Sequence, residues 1–115
     1  MIKTKRIYDA AEASDGHRVL VDRLWPRGLR KEDAAIDEWL REIAPSPELR
    51  KWFGHAPERW RGFLTRYKRE LDAPEAQAQL KRLRRMARGA TVTLLYAARE
   101  ERHNNASVLA DLLRR

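Results

Sequence analysis

The chain has 115 residues, room for one small domain with one core. It contains no cysteine, which excludes disulfides, thiolate metal sites and cysteine nucleophiles together. Lys and Arg number 25 against 17 Asp and Glu, a formal charge of +8 that favours an anionic partner without naming an activity.

Ile2 to Tyr8 alternates β-formers with basic residues and predicts a first strand, closed by the polar stretch Asp9 to Gly16. That loop is too short for a crossover helix. The second predicted strand, His17 to Leu24, is therefore expected to pair antiparallel with the first or to lie beside it. From Glu32 to Ala44 the apolar residues Ile36, Trp39, Leu40 and Ile43 fall at helical spacing, and Pro45 ends the predicted helix. A short helix follows, with Ser46 as its cap, Pro47 at its first position and Gly54 at its end. Pro57 opens a longer one whose face of Trp60, Phe63, Leu64, Tyr67 and Leu71 is the strongest periodic signal in the chain. The next puts Leu80, Leu83, Met86 and Ala87 on one side and most of its basic residues on the other, with Gly89 as its stop. Thr91 to Ala98 is a nearly unbroken apolar run, as expected of a central strand covered on both faces. A last helix is predicted over Asn104 to Leu113.

The predicted fold class is α/β, a small single domain with a three-stranded, mainly parallel sheet and about five helices. A long helical crossover joins strands 17–24 and 91–98, which should be parallel. Ligands in such sheets bind outside the carboxyl ends of the strands. Two dense polar clusters begin there, Asp22 to Gly28 and Tyr96 to Asn105, and they should face one another.

Arg23 and Arg27 offer planar forks to phosphate or carboxylate oxygens, Trp25 a stacking surface, and Asp22 a group to orient an arginine or act as a base. The competing structural reading is an Asp22–arginine bridge with Trp25 sealing the core edge. In the second cluster Tyr96, His103 and Asn105 could complete an anion site at the start of the last helix, with His103 the second catalytic candidate. The competing reading there is a plain Asn cap and an exposed histidine. His17, His55 and His103 show no metal-ligand spacing, so no metal and no thiol-bound cofactor is expected. His55 reads as a helix cap or turn residue, with a general base as the lesser reading. Trp39, Trp52 and Trp60 are expected in the core.

No dinucleotide-binding, P-loop or nucleophile-elbow motif occurs, and whether any reaction is catalysed stays open. The leading function is a pocket for a nucleotide, a nucleic-acid element or another anionic ligand. The alternative is a non-catalytic adaptor or nucleic-acid-binding module using residues 57–88, which carry 10 basic and 4 acidic side chains. The lack of an apolar span or leader points to a cytoplasmic protein with no membrane partner.

Taken in order, LVDRLWPRG (20–28), LRKWFGH (49–55), ERWRGFLTRY (58–67) and VTLLYAA with HNNASVLADLL (92–113) resemble the bacterial YeaO-like family, a domain of unknown function. The resemblance covers almost the whole chain and implies no activity. It also implies a contrast with longer relatives, which end the last strand with Cys and begin the last helix with Cys-His-Arg. Tyr96 and His103-Asn104-Asn105 stand at those places here, so thiol chemistry does not carry over.

Overall fold

The apolar run near the carboxyl end of the chain organises everything else. A computed structural model describes residues 1–115, and in it β4 (Val92–Tyr96) is buried at all five positions. It lies between β1 (Ile2–Arg6) and β2 (His17–Leu20), and β2 carries the short edge strand β3 (Glu38–Trp39). The sheet order is β1-β4-β2-β3, and every pairing is parallel. Ile2 and His17 both stand opposite Val92, so the two early strands flank the last one in the same register. Five helices complete the fold: α1 (Lys31–Ala34), α2 (Pro47–Phe53), α3 (Trp60–Glu70), α4 (Pro74–Gly89) and α5 (Asn105–Arg114).

The α/β class, the five helices and the parallel pairing of the second strand with the last agree with the sequence reading, whereas the sheet has four strands rather than three. The expected pairing of the first two strands is also corrected, since β4 separates them and both run parallel to it. The return from β1 to β2 uses no α-helix, only a 3-10 turn at Ala13–Asp15. The ten residues 7–16 span at most ~35 Å when extended, about twice the ~17 Å length of a five-residue strand.

The predicted helix over 32–44 is the other correction. It is replaced by the one-turn α1, the edge strand β3 and a 3-10 turn at Arg41–Ile43. Ala35 turns left-handed at φ 51°, and the Arg18 side chain takes the carbonyls of Ala34 and Ala35 at 3.1 and 2.8 Å. Those carbonyls would otherwise accept the next turn of helix, so the spacing of Ile36, Trp39, Leu40 and Ile43 never becomes one. The amides of residues 37 and 40 bond β2 instead, at Arg18 and Leu20.

One face of the sheet, with Val19, Val21, Val92 and Leu94, packs under helical residues that include Phe63, Tyr67, Leu80, Leu83 and Leu109. Tyr67 is fully buried and donates its hydroxyl to the Ile43 carbonyl, fastening α3 to the preceding turn. The opposite face holds Ile7, Leu20 and Leu95 against Ala34, Trp25 and Trp39. Toward the amino ends of the strands, that face carries an ionic knot. Asp15, 1% exposed, takes Arg18 at 2.5 Å and Lys5 at 3.2 Å, and its own carbonyl accepts the Thr93 hydroxyl at 2.6 Å. Burial pushes the Asp15 carboxyl up, but the Glu12 amide, Lys5 and Arg18 outweigh it and leave it below the usual carboxylate range.

Helix ends follow the expected chemistry. The Ser46 hydroxyl caps α2 by accepting the Leu49 amide at 3.1 Å, Pro47 opens it, and Gly54 closes it at φ 52°. Phe63 and Tyr67 are buried as expected, and Trp52 and Trp60 pack partly buried against the same core and Trp39 against the opposite one, although Trp39 belongs to an edge strand rather than to a helix.

Candidate functional site

At the carboxyl ends of the strands the chain leaves β2 at Val21-Asp22 and β4 at Ala97, side by side. The Asp22 carboxylate sits between them. It accepts the Ala97 amide at 2.9 Å and the Asn105 side-chain amide at 3.1 Å, and the same Asn105 nitrogen donates to the Val21 carbonyl at 2.9 Å. The Asp22 carbonyl in turn accepts the Trp39 indole N–H at 2.7 Å. One residue thus ties β2, β3, β4 and α5 together. Burial raises the Asp22 carboxyl above its ordinary range, against the opposing pull of the Ala97 amide, the Asn105 amide and the Arg50 charge.

The two polar clusters do face each other, across a cleft of about 760 Å³. The loop at 22–27 forms one wall, residues 97–100 and the start of α5 another, and Arg50, Phe53 and His55 from the end of α2 a third. Asp22, Arg23, Trp25, Arg27, His103 and Asn105 all line it. Tyr96 does not. It is 3% exposed and belongs to the core under the helices, where burial raises its hydroxyl. Its place follows from strand alternation, because residues 92, 94 and 96 of β4 share the helix-covered face.

The lining residues divide into committed and free groups. Arg23 donates to the carbonyls of Pro45 and Ala44 at 3.0 and 3.1 Å, which makes it a brace for the entry to α2. Neither Arg23 nor Arg27 pairs with Asp22, so the aspartate–arginine bridge of the competing reading is absent. Trp25 donates its indole N–H to Leu29 at 2.6 Å and meets Trp39 edge-on at 5.4 Å, half-buried against the core as well as open to the cleft. Arg27, Arg50 and Arg99 are exposed, line the cleft and enter no ion pair. Arg50 and Arg99 were not singled out from the sequence. Arg50 reaches the site because α2 lies beside the strand ends.

An aromatic series runs along the third wall. The His103 ring stacks on Trp60 at 4.7 Å and 23°, Trp60 on Phe63 at 5.4 Å, and Phe63 lies 4.7 Å from Phe53. His55, left-handed at φ 58°, is 6.2 Å from Phe53. It does not cap α2, a position Gly54 fills, and its ring makes no hydrogen bond in the turn. At the start of α5 the Asn104 side chain accepts the Ser107 amide at 2.9 Å, which completes the Asn cap expected there. Nearby, Glu100 accepts the amides of Arg102 and His103, and these hold its carboxyl below the usual range. No group of His, Asp and Glu side chains comes together in a metal-binding arrangement. No helix is long and apolar enough to cross a membrane.

Comparison with known proteins accounts for the whole chain. Residues 1–115 match the model of a family described as the inactive DUF488-N3 subclade. The uncharacterized protein YeaO of Escherichia coli K12 is 50% identical over 113 residues, covering 98% of this chain and 96% of that one. The uncharacterized protein Rv3073c of Mycobacterium tuberculosis H37Rv is 42% identical over 112 residues, covering 97% and 92%. No solved structure matches. With its full length matched by the family model and half of the aligned residues shared with YeaO, the chain belongs to the inactive DUF488-N3 subclade.

Proposed function

We propose that the chain binds an anionic ligand, without transforming it, in the cleft at the carboxyl ends of β2 and β4. The observation that carries this reading is the convergence of Arg27, Arg50 and Arg99, three exposed guanidinium groups that enter no ion pair, on one concavity. Uncommitted arginines around a cleft suit phosphate or carboxylate oxygens. The family description as inactive supports binding rather than catalysis. Asp22 is a positioning residue in this reading, each of its carboxylate oxygens holding an N–H, one from Ala97 and one from Asn105, that joins the strand ends.

The second reading, nucleic-acid binding through residues 57–88, spreads its charge along α3 and α4 rather than gathering it in one concavity. Arg82 is held by Glu38 at 2.5 Å, Arg84 donates to the Leu112 carbonyl, and Arg59 and Arg66 lie over the Trp52 ring. Arg61, Lys68 and Arg69 on α3 and Lys81, Arg85 and Arg88 on α4 are exposed and enter no ion pair.

Titration with pyrophosphate and with a 12-base oligonucleotide at several salt concentrations separates the two. Cleft binding predicts a shallow salt slope and loss of pyrophosphate affinity in R27A/R50A. Oligonucleotide binding with a steep slope, abolished by K81A/R85A/R88A and untouched by R27A/R50A, would move the function to α4.

A further inference from the structure

The charges and rings of the cleft carry the anion-binding reading, on which this inference rests, to a chemical class. We infer that the ligand is a nucleoside monophosphate unit, its phosphate held by Arg27, Arg50 and Arg99 and its base laid against the aromatic wall that ends in His103. Four arginines (23, 27, 50 and 99) and two carboxylates (Asp22 and Glu100) line the cleft, a balance of 4 − 2 = +2. A phosphate monoester carries about −1.5 to −2 at neutral pH, which meets that charge, whereas a lone carboxylate leaves half of it unmatched.

The anion explains only one side of the cleft. Phe53, Phe63, Trp25 and His103 also line it, and rings of this kind gain nothing from inorganic phosphate. They suit a flat heteroaromatic group, because every nucleobase presents a π-face to stack. His103 is placed for this contact. One face of its imidazole lies on Trp60, yet the residue is exposed and opens on the cleft, so the His103–Trp60 stack can accept a further ring as its next layer. At about 760 Å³, the volume is in the range of sites that enclose a small organic ligand, and it exceeds what a bare oxyanion requires.

A free mononucleotide and the phosphorylated end of a nucleic acid share this chemistry, and the experiment distinguishes them. Binding to the full chain is followed by calorimetry for inorganic phosphate, ribose 5-phosphate, the four common nucleoside 5′-monophosphates and a 5′-phosphorylated tetranucleotide. At least one mononucleotide is expected to bind roughly 5- to 150-fold more tightly than ribose 5-phosphate, the range base stacking supplies. H103A and F53L should erase that advantage while leaving ribose 5-phosphate affinity within about twofold, and R50A should weaken both ligands, with circular dichroism verifying the fold of each variant. Equal affinity for ribose 5-phosphate and every mononucleotide overturns the base contact but leaves anion binding intact. Failure of every phosphate compound to bind the folded protein overturns both. Binding of the tetranucleotide at least as tight as that of the free nucleotide assigns the unit to a nucleic-acid end, and its exclusion assigns it to a free nucleotide.

Discussion

Replacing Gly16 by alanine tests the join between the first crossover and the centre of the sheet. Gly16 has φ 63° and ψ −129°, a conformation that side-chain-bearing residues avoid, and a Cβ added there would lie 2.3 Å from the Thr91 carbonyl oxygen. That oxygen accepts the His17 amide at 2.9 Å, the bond that starts the β2–β4 ladder. The substitution therefore costs about 1–3 kcal/mol in backbone strain and about 0.5–1.5 kcal/mol in a weakened hydrogen bond, offset by about 0.4–1 kcal/mol from a stiffer unfolded chain. The net is about 0.5–4 kcal/mol, at its upper end a large share of the ~5–15 kcal/mol of a typical domain. Gly28 supplies the control. Its φ is 76°, but nothing lies within 4 Å of an added Cβ, so only the backbone cost of about 1–2 kcal/mol applies. Urea unfolding followed by tryptophan fluorescence should give G16A a clearly lower midpoint than G28A with unchanged slope. Equal midpoints, or a more stable G16A, would mean that the close approach to Thr91 does not exist and that the register of β2 on β4 is wrong.

F63A should cost about 3–5 kcal/mol in the same assay, because Phe63 is 3% exposed, and W60A less, because Trp60 is only half-buried; the reverse order would place the core on the wrong face of α3. R23A should lose about 1–2 kcal/mol with the two carbonyl bonds to Ala44 and Pro45, while R27A should stay within about 0.5 kcal/mol of the parent, and equal losses would contradict the division into braces and free cations. Asp22 should leave a signature in pH. Its carboxyl is raised in the folded state, so just above the ordinary carboxylate range the native form binds more protons than the unfolded chain, and this contribution to stability falls as pH rises through that window. Urea midpoints from pH 4 to 7 should therefore shift in favour of D22N relative to the parent as pH increases; a constant difference, or one that shrinks, would show that Asp22 is not raised.

Those residues also mark how far the sequence could be read. β4 was legible because a strand covered on both faces needs apolar residues at nearly every position, and Val92–Tyr96 has them. α3 and α5 were legible because each buries one stripe against the sheet. The segment 31–43 was not, because local spacing cannot register a distant guanidinium; Arg18 claims the Ala34 and Ala35 carbonyls and ends the helix after one turn. At the site, the facing of the two loops followed from strand topology, so Asp22 and Asn105 could be brought together before any coordinates. Their direct hydrogen bond could not be foreseen, and neither could Arg50 and Arg99, whose roles depend on how α2 and the 97–100 loop settle over the strand ends. Tyr96 was misassigned through parity, one residue separating the core face from the rim.

The late position of β4 in the chain has a consequence for synthesis. β1 has no strand partner but β4, and β2 has besides it only the two-residue β3. The first 91 residues therefore emerge with almost no sheet to form, their apolar strands awaiting a segment translated well after them, at about 5–20 residues per second. Sheet assembly must close loops of some 70 to 90 residues at once, so the sheet stays unformed, and its early strands open to chaperones and proteases, until β4 is free of the ribosome.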